Sequence, residues 1–338
     1  MKTELGAMSI NNELRQDLVS GDWILFSPKR GRRPNEFKEK KKRARASIVN
    51  CVFERPRKAS GGNPILISPL GDDWRVQLVP NRYPALTHNG LRHKIYKRGP
   101  YAVVPGTGHH DLVITKNHDD NFSKLSEDDA NLLFRVFRDR YLMLLDDDDI
   151  RYVSIFHNWG PKAGASIYHP HYQVIALPVV PPDVEHSLSG SKKYFRNNRI
   201  CVHCLQIKWE KQQKKRVIFE NSCAIAFAPF VSRSEFEIRL FPKKHLPFFE
   251  DTSEVELGCM VHALQKVLRL LEKSLKDPDY NFFIHTAPVK NKQEFRHYHW
   301  HVEIQPKITL AAGFELGTGM EINVVDPDEA ARIIKGND

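Results

Sequence analysis

The 338-residue sequence predicts an α+β fold of two similar halves, with antiparallel sheets and packed helices. One observation is an order of parts that occurs twice: strand, histidine, capped helix, strand, loop, histidine pair. It runs from Leu112 to Ile175 and again from Ile238 to Ile304. A second is spacing, since a serine opens the helix eight residues after the first histidine in both copies, and the pair follows 51 residues after His118 and 54 after His245. The third is periodicity, helical after each serine and strand-like before and after each helix. Four positions repeated in order indicate an internal duplication.

In the first copy LVITKNH ends at His118, and Ser126 precedes acidic residues at 127, 128 and 129, the pattern that caps a helix N-terminus. Leu133, Val136, Phe137 and Leu144 fall on one face of that helix. YVSIFHNWG, carrying His157, reads as the next strand, and a small-residue loop from Gly160 to Ser166 leads into HPHYQVIAL. Pro178 to Pro182 and the Ser/Gly-rich stretch 187–191 mark a boundary, dividing the chain into 1–185 and 186–338. In the second copy IRLFPKKH ends at His245, and Ser253 with Glu256 opens a helix bearing Leu257, Met260, Val261, Leu264, Leu268 and Leu271. NFFIHTAPV and HWHVEIQP follow as strands.

Apolar content of 41% is that of a globular protein with a sizeable core. With no run near ~18 apolar residues and no apolar segment after the N-terminus, a cytoplasmic protein without a membrane span is expected. Five scattered cysteines argue against a disulfide framework and leave metal binding open for the close pair. The net charge of +10 calls for an anionic partner. Much of it lies in Lys38-Glu39-Lys40-Lys41-Lys42-Arg43-Ala44-Arg45, where only Phe37 supplies the aromatic character a nucleic-acid groove needs, so phosphorylated small molecules fit better.

His169 and His171, two apart at a strand, point to one face, where the preceding loop can offer N–H groups to a phosphate. Cys201 and Cys204 have the spacing that brings two thiolates to one ion; with His245 and His299 they make a Cys2His2 zinc set. His203, inside the spacing, is left out. The matching first-half set is Cys51, Glu54, His118 and His169, in which a carboxylate replaces the second thiolate and either binds zinc or pairs with a histidine. Fixing His169 also fixes the strand that presents His171.

LRQDLVSGDWILFSPKRGRRP, WRVQLVPNRYPAL, GASIYHPHYQ and GFELGTG, in that order along nearly the whole chain, resemble the galactose-1-phosphate uridylyltransferase family of the histidine triad superfamily. The intact Cys201/Cys204 pair and the GFELGTG ending are nearer the branch containing plant ADP-glucose phosphorylase; Glu54 departs from that branch, which has cysteine there. The resemblance implies two histidine-triad-like halves and a cytoplasmic nucleotidyltransferase of galactose and carbohydrate metabolism, acting on a nucleotide sugar and a sugar 1-phosphate or orthophosphate. His171 would be the nucleophile, forming a covalent NMP-histidine in a ping-pong reaction. Arg30 and Arg33 would meet phosphates, Asn81 the nucleotide or ribose, and Gly164, Ala165 and Ser166 the phosphates. Phe314 and Glu315 would reach the sugar across a homodimer interface.

Histidine triad hydrolases have a third histidine where this chain has Gln173. Glutamine can hold a phosphate oxygen but cannot protonate a leaving group, which suits transfer between phosphates, whose leaving groups are already stabilised anions. His301, counterpart of His171, is followed by Glu303 in the glutamine position, and that half reads as mainly structural. The first reading of the activity is a UDP-glucose–hexose-1-phosphate uridylyltransferase. The alternatives are an ADP-sugar phosphorylase and a zinc-stabilised nucleotide- or RNA-binding module without catalysis.

Overall fold

The computed structural model describes residues 12–32, 43–88 and 94–336; Arg33 and residues 38–42 of the basic run lie outside them. The chain opens with a hairpin of β1 (Glu13–Gln16) and β2 (Trp23–Phe26). It continues through α1 (Pro56–Ala59), β3 (Leu66–Ser68), β4 (Val76–Pro80), a small hairpin of β5 (Tyr96–Arg98) and β6 (Tyr101–Val103), and β7 (His109–Thr115). Helix α2 (Glu127–Leu145) and strands β8 (Tyr152–Trp159) and β9 (His171–Leu177) complete the first repeat. Helices α3 (Pro182–Asn198) and α4 (Val202–Gln213) lead to β10 (Val217–Glu220), β11 (Ala224–Phe227) and β12 (Ile238–Pro242). Helix α5 (Glu254–Leu275), β13 (Tyr280–His285) and β14 (His301–Pro306) complete the second, and α6 (Gly313–Thr318), β15 (Ile322–Asn323) and α7 (Pro327–Lys335) end the chain.

The two repeats share one ten-stranded sheet, ordered β10-β11-β12-β14-β13-β8-β9-β7-β4-β3. Its order is symmetric about the seam between β8 and β13, where Phe283 pairs with Phe156 and Asn281 with Asn158. All its neighbouring strands run antiparallel, as expected. The Ser126 hydroxyl accepts the Asp129 N–H, and Ser253 and Glu256 form a reciprocal capping box, each such cap stabilising a helix by ~1 kcal/mol. Helices α2 and α5 cover one sheet face. Leu133, Val136, Phe137 and Leu144 join Leu257, Val261, Leu264, Leu268 and Leu271 in one core with Tyr172, Val174, Phe282 and Ile284 from the strands. Period-2 alternation sends His171, Gln173, Asn158 and Phe283 to the opposite face, away from these helices.

Two expectations change. Residues 187–191, read as a boundary, lie inside α3, and so does the 185/186 division. Pro182 at its first turn preorganises this helix, and Val184, Leu188 and Ser191 are buried along one stripe. Gly190 packs so closely that a Cβ there would lie 1.7 Å from the Val19 carbonyl oxygen, so its glycine serves contact rather than a break. Cys201 and Cys204 sit at the N-terminus of α4. Cys223 and Cys259 are joined by a disulfide, a pairing between the turn before β11 and helix α5 that spacing did not mark. No helix among the described residues is long and apolar enough to cross a membrane.

Candidate active site and metal centres

His171 is the first residue of β9 and is 7% exposed. Its Nδ1–H donates to the His169 carbonyl oxygen at 3.0 Å, so the lone pair of the neutral ring is on Nε2, which has no hydrogen-bond partner among the described residues. Burial pushes its pKa down, opposed by the bond to His169 and reinforced by the His169 charge. The ring is therefore neutral at pH 7, as a nucleophile must be. Phe53, 4.9 Å away between ring centroids, forms its apolar wall with Leu112 and Ile114. Beneath the strand, buried His157 donates from Nδ1 to the His171 carbonyl at 2.7 Å.

Gln173 lies two residues further on the same face, and a histidine that the sequence did not single out decides which end of its amide points outward. The Ala85 N–H donates to His110 Nδ1 at 3.0 Å, placing the His110 proton on Nε2. That Nε2–H donates to Gln173 Oε1 at 2.9 Å, leaving the Gln173 NH2 as the outward donor. Asn81 adjoins the same ring, its Oδ1 accepting the Tyr83 N–H at 2.9 Å, while its Nδ2, 3.1 Å from His110 Nε2, finds no lone pair there because that nitrogen carries the proton given to Gln173. Asn81, His110 and Gln173 thus form one polar row beside His171.

The loop before β9 turns on Gly160 and Gly164, at φ 87° and 88°, a region closed to most side chains. The Gly164 and Ala165 N–H groups are spent on the carbonyls of Pro161 and Gly160, each at 3.1 Å. Of the three loop residues expected to meet phosphate, Ser166 alone keeps both N–H and hydroxyl without a partner among the described residues. A second residue missed by sequence compensates. Asn281 Nδ2 donates to Asn158 Oδ1 and to the Ala163 carbonyl, both at 2.8 Å, so the Asn158 NH2 is left without a partner among the described residues. Continuing the β8–β9 register one pair beyond His157 and Tyr172 sets Asn158 opposite His171.

Both expected metal sets are gathered, the ligand atoms of each within 4.8 Å of one another. In the second, Cys204 Sγ lies 3.4 Å from His245 Nδ1 and 3.5 Å from His299 Nδ1. The opposite ring nitrogens donate to the Arg296 and Pro242 carbonyls at 2.8 and 2.9 Å. In the first, Glu54 Oε1 is 3.0 Å from His118 Nδ1 and 3.2 Å from His169 Nδ1, and Cys51 Sγ is 3.6 Å from the latter. Here too Nε2–H groups donate to carbonyls, of Ala46 at 3.2 Å and Thr115 at 2.7 Å. Burial lowers the His169 pKa, so its Nδ1 presents a lone pair toward a carboxylate. Lone pairs and negative oxygen facing one another repel unless a cation lies between them, and these donor sets fit a tetrahedral zinc ion. At the second set Cys201 caps the N-terminus of α4, and the bond from Cys204 first, with those from His245 and His299 adding against burial, holds its thiol well below the ordinary range.

Arg30, Phe314 and Glu315 are placed elsewhere in this chain. Arg30 is exposed after β2, which pairs with β1 and β15 in a separate sheet. That sheet leans on the second repeat through Arg15 to the Phe230 carbonyl (3.0 Å) and Asn323 to that of Ser232 (3.0 Å). Phe314 is 45% exposed on α6, and Glu315 caps that helix at the Ala312 N–H. No hydrogen bond or ion pair joins these residues to His171 among the described residues. Of the basic run, Arg43 is held by Asp277 and Asp279 over the Trp159 ring, and Arg45 pairs with Asp119.

Residues 6–181 match the family model described as galactose-1-phosphate uridyl transferase, N-terminal domain, and residues 99–335 match a domain of unknown function, DUF4921. ADP-glucose phosphorylase of Arabidopsis thaliana is 34% identical over 328 residues, 96% of this chain and 92% of that protein. Galactose-1-phosphate uridylyltransferase of Thermotoga maritima is 26% identical over 333 residues, 96% and 98% of the two chains. The crystal structure of the Arabidopsis thaliana phosphorylase with bound ADP-glucose superposes with a TM-score of 0.84 at 31% identity, covering 97% of this chain and 99% of that one. A uridylyltransferase structure gives 0.74 at 27% identity, over 96% and 98%.

Proposed function

The chain belongs to the galactose-1-phosphate uridyl transferase family and is an enzyme of the nucleotidyltransferase type, and from that premise we propose that it transfers a nucleoside monophosphoryl group through His171. The Nε2 lone pair attacks the α-phosphorus of a nucleotide sugar, a P–N bond forms, and the P–O bond to the departing sugar 1-phosphate breaks. The proton stays on Nδ1 throughout. As the ring gains positive charge, the His169 carbonyl 3.0 Å from Nδ1 stabilises it. The Gln173 amide, aimed outward by His110, and the Asn158 amide hold non-bridging phosphate oxygens. A second phosphate then attacks the phosphorus and frees His171.

The observation that carries this reading is the single unpartnered nitrogen of a buried neutral imidazole beside an amide whose NH2 is fixed outward. Greater identity and structural likeness to the ADP-glucose phosphorylase favour an ADP-sugar with orthophosphate as acceptor over the UDP-glucose reading. Zinc in the two ligand sets would brace His169 and His299, tying down the segments before β9 and β14. Arg30, Phe314 and Glu315 would reach the sugar phosphate from a second copy of the chain, in keeping with the placement of Arg30 beside a separate sheet and of Phe314 and Glu315 on α6. The paired basic residues 43 and 45 disfavour a nucleic-acid module.

Incubation with ADP-glucose or UDP-glucose labelled in the α-phosphate tests the reading. Acid-labile, base-stable protein label, lost in His171→Ala and discharged by orthophosphate or glucose 1-phosphate, is expected. Label surviving in His171→Ala overturns the mechanism, and the nucleotide that labels faster identifies the base.

A further inference from the structure

A run of aspartates, Asp146 to Asp149, follows α2, and neither the transfer chemistry nor the cysteine-containing sets use it. We propose that Asp147 of this run, with His88 and His109, binds a divalent transition-metal ion on the face of the first repeat turned away from His171. His109 opens β7. Neighbours along a strand point to opposite faces, so His109 faces the α2 side while His110 faces the transfer centre. His109 Nε2 lies 3.0 Å from Asp147 Oδ2, and His88 Nδ1 lies 3.9 Å from the same oxygen. One ligand atom from each residue falls within 4.8 Å of the others.

The charge around Asp147 favours a cation. A helix C-terminus carries partial negative charge, so carboxylates there are unfavourable, and α2 has no basic residue in its last turn. Lys290 answers part of this, its ammonium 2.8 Å from the Leu145 carbonyl and 3.6 Å from Asp148 Oδ1. Asp147 Oδ1 accepts the Asp149 N–H at 3.0 Å, which leaves Oδ2 to the two imidazoles. Those rings stack with centroids 4.5 Å apart and 23° between their planes, and each sends a nitrogen toward that one oxygen. A proton on His109 engages one ring alone. A metal ion takes the lone pairs of both rings and the carboxylate oxygen together.

The backbone supplies an independent observation, because it clamps the two histidine-bearing segments together. The Thr87 N–H donates to the Gly106 carbonyl at 3.1 Å, the Gly108 N–H donates to the Thr87 carbonyl at 3.2 Å, and Thr87 bridges Thr107. Gly108, at φ 151°, packs so closely that a Cβ there would lie 2.2 Å from the Ala176 carbonyl oxygen. His88 and His109 therefore leave a fixed crossing of two segments. Two imidazoles and one carboxylate suit borderline ions such as Zn2+, Co2+, Ni2+ or Cu2+ rather than Mg2+ or Ca2+, and the exposure of His88 leaves room for water to complete the coordination. Three residues before His88, the Ala85 N–H sets the His110 proton, so an ion here would also steady the segment that orients Gln173. That consequence rests on the transfer reading; the metal site does not.

Equilibrium dialysis of the zinc-loaded protein against Ni2+, at a concentration that just saturates the wild type, followed by elemental analysis of bound zinc plus nickel, tests this. The wild type is expected to hold one more divalent ion per chain than His88→Ala or Asp147→Asn, whose melting temperatures before nickel is added match its own. His186→Ala removes another surface histidine, 3.7 Å from Asp22, and is expected to keep the wild-type total. A wild-type total in either cluster variant, or the same ion lost in His186→Ala, overturns the proposal. None of these measurements reads transfer through His171, so the two readings fail separately.

Discussion

Replacing His110 with phenylalanine tests whether Gln173 works because its amide is held one way round. The change removes the 2.9 Å bond to Gln173 Oε1 and the acceptor of the Ala85 N–H. A neutral hydrogen bond contributes about 1 kcal/mol, and an amide free to turn presents oxygen to phosphate part of the time, so the expected loss in transfer is about 1–2 kcal/mol, or about 5- to 30-fold. Gln173→Ala removes a hydrogen bond to an anionic oxygen outright, worth about 1.5–3 kcal/mol, and should slow transfer about 10- to 150-fold. With the effect of His110 on transfer routed through Gln173, the double variant should be no slower than Gln173→Ala alone. Single-turnover release of sugar 1-phosphate measures all four proteins, with melting temperatures as the control for folding. Equal damage by His110→Phe in both backgrounds would refute the orientation argument.

Four further outcomes follow from particular contacts. Since burial holds the His171 pKa below that of an ordinary imidazole, the neutral nucleophile persists as pH falls, and rapid-quench label formation should stay level through about pH 6.5 before declining. His157 is pushed down to about 3, so the unfolded chain binds the extra proton below about pH 6.5. Wild-type stability to urea should drop about 2 kcal/mol more between pH 7 and 5 than that of His157→Phe, and parallel losses would contradict this. Gly190→Ala forces a methyl onto the Val19 carbonyl and should cost about 1–3 kcal/mol, seen as a lower melting temperature. Glu54→Cys should raise zinc retention during dialysis against chelator, while Glu54→Gln lowers it; equal retention would show that Glu54 faces no metal.

The repeat was legible because each copy carries local signals: caps at Ser126 and Ser253, helical stripes, and histidines at matched offsets. Both metal sets could be named for the same reason, their residues falling at repeated positions. Local signals say nothing of which edges meet, so the joining of two sheets at Phe156 and Phe283 had to come from tertiary structure. His110 and Asn158 were invisible because their roles depend on partners far along the chain, Gln173 and Asn281, brought into reach only by strand register. The run 187–191 misled because serine and glycine usually loosen a chain, whereas Gly190 is selected by the closeness of Val19. Arg30 and Phe314 carry no local sign of where their partners lie.

The seam between β8 and β13 bears on whether either repeat can exist by itself. Separating the repeats would strip Tyr152–Trp159 and Tyr280–His285 of their hydrogen-bonding neighbour and turn both into raw edges. Each carries bulky side chains on both faces, with no proline or lysine to discourage strangers. A severed repeat would therefore seek another strand, and its cheapest match is the partner it lost. What covalent linkage supplies is a permanently occupied docking edge, which leaves each repeat free to drift chemically while the other keeps it folded.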